Sequence, residues 1–441
     1  MKRAATETRG DTLAVFVRDR YNKHGMAALA GALDTVPPDC GGLEVRFLSH
    51  KDVAPVLREE GRRFRKVLLA CSFHTPHLPA MAGFVSRTRE ALAGAVPRLE
   101  FLAGGTHPSG DPVGTIQAGF DYAFHGEGEA VVTPLLERWA DDQPLASLPG
   151  LVLPEGGSFQ FNPPPPPVNL DDFLPFSAAR RLLCPVEITR GCPGACGFCQ
   201  TPFLFGSRVR HRSLDRVLSA CEAGRTRSLK DLRFSTPNAF AYGSPDGRTP
   251  NPAGVEALLR ETGKLFGPEH VFFGSFPSET RPESVTAEMV DLVRRLAGND
   301  NLVVGLQSGS DDFLERLGRG HTTADVFRAV EIARAAGFRI YVDVIFGLPG
   351  ETETDRRATE AVMEKLSGMG AIVHGHAFIP LPGTPLGKHP PARIDERTRQ
   401  VIDRLPPGLH CGRWKHQEAE AFAAHGFRTA LRRRKSNGPA T

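Results

Sequence analysis

Residues 192–199, Cys-Pro-Gly-Ala-Cys-Gly-Phe-Cys, place three thiols in one short loop with the spacing C-x3-C-x2-C. Thiolates are ligands of iron-sulfur clusters and of zinc, and the small residues between them let one loop surround a single metal centre. The loop contains no obvious fourth ligand. Structural zinc is normally closed by four protein ligands, whereas a 4Fe-4S cluster on three cysteines keeps one iron open. The spacing therefore predicts a reactive metal centre.

Two other interpretations of the three thiols remain open at this point. A distant side chain such as His211 would close a zinc site, and the cysteines would otherwise be ordinary buried thiols. The strand predicted at residues 185–188 leads directly into the loop. This places the thiols at the carboxyl end of a strand, which is where barrel folds carry their active sites.

The composition is that of a soluble globular protein. With 441 residues, the chain is long enough for two or three domains, and it is 40% hydrophobic and 24% charged. No long apolar run predicts a membrane span, and no apolar signal region follows Met1. Eight cysteines do not form a secreted disulfide framework, and the net charge is only +4. We therefore expect a cytoplasmic protein that does not associate with membranes.

The first part of the chain alternates between strands and helices. A buried strand at residues 12–17 is followed by a helix around residues 27–33, and further strands are predicted. They lie at residues 43–48, 66–70, 99–103 and 122–124. This alternation predicts an α/β fold with a doubly wound parallel sheet, in which ligands bind beyond the carboxyl ends of the strands.

The second part of the chain repeats the alternation. Five prolines at residues 163–167 mark a semi-rigid linker, and we expect a small hairpin before it. Six strands then alternate with helices, beginning at residues 185–188, 232–234, 271–274, 302–305, 340–345 and 372–378. The predicted divisions are residues 1–140, a linker at 141–181, a core at 182–386 and a helical C-terminal extension at 387–441.

The cysteine loop, with Phe198 before its last thiol, resembles the signature of radical S-adenosylmethionine (AdoMet, SAM) enzymes. The resemblance implies that Cys192, Cys196 and Cys199 hold a 4Fe-4S cluster whose fourth iron binds AdoMet. It also implies a partial (β/α)6 barrel and cleavage of AdoMet to a 5'-deoxyadenosyl radical. An external electron donor such as flavodoxin or ferredoxin would then be required.

The strand ends of this barrel supply candidate AdoMet ligands. Where the family commonly has a Gly-Gly-Glu run, this chain has Ser235-Thr236-Pro237-Asn238, which is a departure from the pattern. Arg281 or Arg319 could pair with the AdoMet carboxylate. An ordinary ion pair between Glu279 and Arg281 is the alternative. The full candidate set is Ser235, Thr236, Asn238, Ser275, Glu279, Arg281, Gln307, Ser308, Ser310, Arg319, Ile345 and Gly347.

The runs at residues 104–112 and 119–129 resemble the cobalamin-binding domains that precede many radical SAM cores. The resemblance covers roughly residues 11–140 and implies a Rossmann-like domain that binds cobalamin. The D-x-H-x-x-G motif, which supplies a histidine to cobalt in another cobalamin family, is missing. A Rossmann-like domain without the cofactor is the alternative. Candidate residues are Ser72, Thr75, Gly104, Gly105, Thr106, Gly126 and Glu127.

The C-terminal part of the chain is less informative. His374 and His376 lie near the end of the sixth strand and are weak candidates for a catalytic role, since lone histidines are more often structural. The basic tail at residues 428–435 lacks interleaved aromatic residues, so we expect it to be solvated and not to bind nucleic acid.

The hypothesis that combines these observations is a cobalamin-dependent radical SAM enzyme, a C-methyltransferase that uses a 5'-deoxyadenosyl radical and methylcobalamin. Another radical SAM reaction, such as cyclisation, rearrangement or methylthio transfer, is the alternative. Methylthio transfer usually requires three further N-terminal cysteines, whereas only Cys40 and Cys71 precede the linker. A non-catalytic sensor binding a cluster and cobalamin would need an output module, and no DNA-binding helix is evident. The substrate is not identified by the sequence.

Overall fold

The structure, a computed structural model, describes residues 11–436 and divides into two units. The first unit contains residues 1–168 and 427–441, and the second contains residues 169–426. The division falls within the predicted linker at residues 141–181, and the predicted C-terminal extension contributes to both units. The proline run therefore belongs to the first unit.

Seven strands form the sheet of the first unit, in the order β2-β1-β3-β4-β5-β6-β7. They are β1 (Thr12–Arg18), β2 (Leu43–Ser49), β3 (Lys66–Ser72), β4 (Leu99–Gly104), β5 (Tyr122–Phe124), β6 (Leu151–Glu155) and β7 (Ser158–Phe161). Neighbouring strands from β2 to β5 are parallel, and β6 and β7 form an antiparallel hairpin beside β5. The predicted doubly wound sheet and the hairpin before the proline run are both confirmed.

Helices alternate with these strands. They are α1 (Lys23–Thr35), α2 (His50–Glu60), α3 (Leu78–Ala91), α4 (Thr106–Gly110), α5 (Pro112–Gln117) and α6 (Val132–Ala140). Six consecutive residues are buried in both β1 and β3, which is typical of strands covered on both faces in a parallel sheet. The aromatic side chains of Phe73, Phe101 and Phe120 pack in the core between the sheet and its helices.

The strand order of the first unit fixes its ligand-binding edge. The chain moves to opposite sides of β1 to form β2 and β3, so a crevice is expected where the carboxyl ends of β1 and β3 diverge. The Asn22 side chain joins these two ends, because its amide nitrogen donates to the carbonyls of Val17 and Ser72, at 3.0 Å each. β4 ends at Gly104, which with the following Gly105 lies at the same edge.

Seven of the nine strands in the second unit, residues 169–426, form a parallel array, and the other two form a separate antiparallel pair. The nine strands are β8 (Val186–Glu187), β9 (Thr189–Arg190), β10 (Arg210–His211), β11 (Leu232–Ser235), β12 (Val271–Phe272), β13 (Asn301–Gln307), β14 (Arg339–Phe346), β15 (Ile372–Ala377) and β16 (His410–Gly412). The antiparallel pair is β9 and β10. β8, β11 and β12 pair in parallel, as do β13 to β16. Backbone bonds from Val303 to Gly274 and from Thr280 to Val303 connect the two sets. The predicted partial barrel is confirmed, and β16 extends it by one strand that was not predicted.

The helices of the second unit begin at side-chain caps in several cases. They are α7 (Thr201–Phe205), α8 (Leu214–Arg225), α9 (Pro252–Phe266), α10 (Ala287–Leu296), α11 (Asp311–Arg316), α12 (Thr323–Ala335), α13 (Glu353–Gly368), α14 (Glu396–Arg404) and α15 (Trp414–Ser436), whose last residues belong to the first unit. Thr322 and Thr352 start α12 and α13 with reciprocal capping boxes. Each box satisfies two backbone donors that the helix itself leaves open.

Among residues 11–436, each helix is either too short or too polar to span a bilayer.

Candidate active site

The cysteine loop connects β9 to α7 and depends on a glycine at its start. Gly191 has a φ of +86°, and a side chain there would collide with the Arg208 carbonyl oxygen. Phe198 packs against an apolar cluster that includes Phe313 and Phe378. The loop is therefore fixed by backbone geometry at its beginning and by an apolar side chain at its end.

Two of the three thiols, those of Cys192 and Cys196, lie around Gly194, next to Arg281. A Cβ atom added at Gly194 would lie 3.4 Å from Cys192 Sγ, 3.6 Å from Cys196 Sγ and 3.4 Å from Arg281 Nη1. Burial raises the pKa of the Cys199 thiol, and the neighbouring Cys196 and Cys192 raise it further. Iron would favour the thiolate form in such a setting, because metal binding requires the deprotonated ligand.

The arrangement of the thiols fits a cluster better than a zinc ion. Four ligands at about 2.3 Å from one zinc place the sulfurs roughly 3.8 Å apart. Within the described residues, the one group of three metal-ligating side chains whose ligand atoms all lie within 4.8 Å of each other does not include these cysteines. His211, the other candidate zinc ligand, bonds Thr189 Oγ1 at 2.9 Å and the Ser244 carbonyl at 2.8 Å. Both its ring nitrogens are therefore engaged elsewhere.

Two buried guanidinium groups lie beside the thiols. Arg319 Nη1 lies 3.5 Å from Cys196 Sγ, and its Nη2 donates to the Gly305 carbonyl at 2.8 Å. Arg281 donates to the Arg319 carbonyl and pairs with Glu283, so the alternative ion pair between Glu279 and Arg281 is wrong. Arg319 Nε is buried without a hydrogen-bond partner. A bound anionic group would satisfy this donor.

The other candidates on β11, β12 and β13 divide into engaged and available groups. The Asn238 side chain donates to Ser284 Oγ and accepts from the Arg281 backbone, so it holds the loops together. Ser275 Oγ is buried without a partner. Ser235 ends β11, where its carbonyl accepts from Ile188, and Thr236 Oγ1 bonds the Asn238 carbonyl. Of these groups, Ser275 is the one whose side-chain oxygen is buried without a hydrogen-bond partner.

The end of β13 shows strain at one position and structural bonds at two others. Gln307 has a φ of +75° although it is not glycine, and it lies at a register shift between β13 and β14. Such strain concentrates at functional sites. Ser308 Oγ bonds Thr359, whereas Ser310 caps α11 and donates to Asp355. Gln307 is therefore the ligand candidate, and the two serines stabilise the fold.

The two candidates for contact with the adenine lie at the end of β14. Ile345 packs against the same apolar cluster as Phe198. Gly347 has a φ of +76°, and a Cβ there would approach the Ala392 carbonyl to 3.3 Å. The end of the strand is thus apolar, and position 347 favours glycine because of its backbone conformation and its close neighbour.

A polar cluster that was not predicted from the sequence lies on β14 and β15. His374 Nδ1 lies 2.7 Å from Asp343 Oδ1 and 3.2 Å from His376 Nε2. The hydrogen bond to Asp343 raises the pKa of His374. Burial, and then the Asp343 carboxylate, raise the pKa of Glu279 to about 7. Asp343 is the residue that sequence reasoning missed, and the signal was an acidic residue within the apolar strand β14.

At the edge of the first unit, the predicted cobalamin residues are largely bonded to protein groups. Thr75 Oγ1 lies 3.1 Å from His107 Nδ1, and Thr106 Oγ1 lies 2.9 Å from His74 Nδ1. Glu127 accepts from the Val168 backbone at 3.2 Å. These bonds shape the edge and connect it to the end of the proline segment.

The glycines and Ser72 at this edge differ in the space around them. A Cβ at Gly126 would lie 2.9 Å from Pro165, and one at Gly105 would lie 2.5 Å from Ser72 Oγ. A Cβ at Gly104 would meet no atom within 4 Å. Gly104 therefore faces open space, whereas Gly126 and Gly105 allow close backbone packing.

Comparisons with known proteins agree with this site. Residues 186–362 match the radical SAM superfamily. The tRNA-2-methylthio-N(6)-dimethylallyladenosine synthase of Geobacter sulfurreducens is 32% identical over 184 residues, which are 41% of this chain and 40% of the relative. The chain thus matches about two fifths of that relative's length.

Solved structures show the same fold over most of the chain. The radical SAM methyltransferase TsrM of Kitasatospora setae, with tryptophan and a SAM analogue bound, has a TM-score of 0.63 at 18% identity, covering 85% of this chain and 75% of TsrM. The cobalamin-dependent radical enzyme OxsB, with aqua-cobalamin bound, has a TM-score of 0.61 at 14% identity, covering 82% and 53%. Both similarities confirm the predicted architecture.

Proposed function

We propose that this chain, whose residues 186–362 are a radical SAM domain, is a cobalamin-dependent radical SAM enzyme that transfers a methyl group to a carbon atom. A radical SAM domain is built for a 4Fe-4S cluster and AdoMet, so the prediction of these two cofactors is confirmed for the domain. Cobalamin, the methyl transfer and the carbon acceptor are the proposal.

The observation that carries the proposal is the position of the buried guanidinium groups beside the thiols. Cys192, Cys196 and Cys199 would hold the cluster, and Arg319 lies next to one of the sulfurs with a donor still free. When bound, the cluster and AdoMet supply an electron and a 5'-deoxyadenosyl radical, and cobalamin supplies a carrier for the methyl group. The positive charge of Arg319 and Arg281 would orient an AdoMet carboxylate toward the loop.

Other residues of the barrel would position AdoMet. Ser275 Oγ has no partner, and Gln307 is held in a strained conformation at the same ends of the strands. Ile345 and Gly347 offer an apolar surface for an adenine. Together with the two arginines, these groups would provide an anion-binding subsite beside the thiols and an apolar subsite at the end of β14.

The first unit supports cobalamin through shape. Its parallel sheet has the order typical of flavodoxin-like folds, in which ligands bind where β1 and β3 diverge. Gly104 leaves open space at this edge, and both TsrM and OxsB have been solved with cobalamin. Because the D-x-H-x-x-G motif is missing, we propose that no histidine of that kind binds the lower face of the corrin.

Methylthio transfer is the second candidate, because the curated relatives include tRNA methylthiotransferases. The cysteines before the proline segment argue against it. Cys71 lies on β3, where burial raises the pKa of its thiol. Cys40 lies between α1 and β2 in the sequence. Two such separate cysteines do not supply the three ligands of a second cluster.

The proposal also includes a reducing cytoplasmic location and an external electron donor. All eight cysteines are free thiols, as expected in a reducing compartment. Flavodoxin or ferredoxin would provide the electron that the chain itself does not supply.

The test uses anaerobic protein with its cluster reconstituted and cobalamin supplied. Incubation with AdoMet and dithionite should yield 5'-deoxyadenosine in the wild type and none in Cys196→Ala, with Cys40→Ala as the matched thiol control. Methyl-labelled AdoMet should leave label on the corrin fraction. If label never reaches that fraction while 5'-deoxyadenosine forms, the radical SAM assignment stands and methyl transfer through cobalamin is wrong.

A further inference from the structure

Three side chains of the second unit, none of them from the cysteine loop, converge on one point. His374 Nδ1 lies 2.7 Å from Asp343 Oδ1 and 3.2 Å from His376 Nε2, and His376 Nε2 lies 3.5 Å from Asp343 Oδ1. Two imidazole nitrogens and a carboxylate oxygen therefore form a small triangle. In the described part of the chain, no other three His, Cys, Asp or Glu side chains bring their ligand atoms within 4.8 Å of one another.

The strand register produces this triangle. Asp343 on β14 is the direct parallel partner of His374 on β15, and His376 follows two residues later on the same face. Val342 and Val344, which flank Asp343 on β14, are fully buried on the opposite face. The cluster is thus held by the backbone of two paired strands, which is a precise support for a binding site.

The dimensions of the triangle match those of a metal site. Ligand atoms about 2.1 Å from one metal ion lie roughly 3.0 to 3.4 Å apart at octahedral and tetrahedral angles. The observed separations span 2.7 to 3.5 Å. A point about 2.1 Å from all three atoms exists roughly 1 Å outside their plane, so an ion could bind without movement of the strands.

Without an ion, His374 Nδ1–H and His376 Nε2–H can each donate to Asp343 Oδ1, at 2.7 Å and 3.5 Å. A divalent ion would replace these two protons. A cation at the centre of the triangle is attracted by all three groups at once. Two neutral imidazoles and one carboxylate are a common ligand set for divalent transition metals.

The surroundings include a group that could orient one of the ligands. Gln417 Oε1 accepts from the Ala377 backbone at 3.1 Å, which turns Gln417 Nε2 toward His376 Nδ1 at 3.4 Å. An ion on His376 Nε2 would leave the ring proton on Nδ1, so the Gln417 amide would have to turn and accept that proton with its oxygen. Glu279 and Cys411 also lie close enough to Asp343 to interact with it electrostatically.

The triangle is open on one side. The His374 and His376 side chains are 34% and 30% exposed, whereas Asp343 is 9% exposed. A bound ion would thus keep positions for water or for an oxygen or nitrogen atom of a substrate. This openness is typical of catalytic sites and differs from the closed coordination of structural zinc.

We propose that Asp343, His374 and His376 bind a divalent transition-metal ion, such as Zn²⁺ or Fe²⁺, with coordination positions left for an external ligand. Its three ligands do not include a residue of the cysteine loop, and the proposal does not depend on the radical chemistry proposed above. It gives His374 and His376 a ligand role in place of the catalytic role that the sequence only weakly indicated.

Zinc is the probe for this test, and the cluster-reconstituted protein is used so that the cysteine loop is occupied. After equilibration with Zn²⁺ and desalting, bound zinc per chain is measured by mass spectrometry. The wild type should retain about one zinc, and His374→Ala/His376→Ala should retain less than about a tenth of that amount. The control His389→Ala/His416→Ala removes two exposed imidazoles and should bind zinc like the wild type.

Zinc-edge X-ray absorption of the wild type supplies a second readout that needs no variant. Nitrogen and oxygen ligands with imidazole scattering, and at most one sulfur, support the site. A shell of three sulfurs would place zinc at the cysteine loop and overturn the proposal. Equal zinc content in the wild type and in His374→Ala/His376→Ala, or loss of zinc in the surface control, would overturn it as well.

Discussion

The two units carry ligand edges of opposite character. At the edge of the first unit, polar side chains bond one another, as His74 does with Thr106 and His107 Nδ1 with Thr75, and His107 Nε2 is the exception, since it is buried without a partner. At the barrel edge, Ser275 Oγ and Arg319 Nε are buried without partners, and a guanidinium lies beside a thiol. The first edge is therefore suited to a ligand recognised by shape, and the second to a ligand recognised by charge.

The largest effect is expected from filling the space among the thiols. Gly194→Val would add methyl groups beyond a Cβ that already lies 3.4 Å from Cys192 Sγ and from Arg281 Nη1. We expect iron content after reconstitution to fall from about four per chain to less than about one. Gly194→Ala adds the Cβ alone and should keep most of the iron. Full iron in Gly194→Val would show that the loop opens differently from the structure.

The next effect concerns charge at the barrel edge. Arg319→Gln removes the guanidinium beside Cys196, and we expect AdoMet to bind about tenfold to a hundredfold more weakly, because a charged hydrogen bond is lost. Equilibrium binding of AdoMet to the cluster-loaded protein measures this. Arg339→Gln is the control, since Arg339 pairs with Asp300 on the surface. Unchanged AdoMet affinity in Arg319→Gln would show that the charge of Arg319 does not contribute to AdoMet recognition at the barrel edge.

Shape recognition at the first edge has its own test. Gly104→Leu places a large side chain where a Cβ meets no atom within 4 Å, so folding should be preserved while the crevice is filled. We expect cobalamin affinity to fall about tenfold or more and the melting temperature to change little. Gly368→Leu, also in open space but in the other unit, should bind cobalamin normally. Equal cobalamin affinity in both variants would show that cobalamin does not occupy this edge.

The smallest effect is a pH dependence of the first unit. Burial lowers the pKa of His107 to about 4, with Arg428 also lowering it and Asp111 opposing. Between pH 6.5 and 4 the unfolded chain binds a proton that the folded unit does not, so stability falls as the pH falls, by about 1–3 kcal/mol. Urea unfolding followed by Trp139 fluorescence in a Trp414→Phe background should show this loss. His107→Gln should make it smaller, and an identical loss in both proteins would contradict the assignment.

Most of the helices and strands could be predicted from the sequence, whereas the contacts between them could not. The sequence predicts helices at residues 287–296 and 323–335, and α10 and α12 have these bounds, because their apolar periodicity and their threonine caps agree. Strand β16 was missed because three residues, His-Cys-Gly, carry no strand pattern. The partnership of Asp343 with His374 depends on the register between two strands, which a single sequence does not specify.

The candidate site shows the same difference between local sequence patterns and tertiary contacts. The three cysteines lie within one loop, so local spacing was enough to predict them. For Ser308 and Ser310, the sequence indicated ligand contacts, whereas the structure engages both with α13 through Thr359 and Asp355. A hydroxyl at a strand end can serve a ligand or a neighbouring helix, and only tertiary packing decides between them.

The hairpin of β6 and β7 has a practical consequence for isolating the first unit. β6 pairs antiparallel with the short strand β5 and so covers backbone groups that would otherwise be a free sheet edge. A fragment ending at residue 140 would expose that edge, and exposed edges promote aggregation through pairing with other chains. A fragment that continues to Val168 keeps the edge protected and retains the proline segment against Gly126.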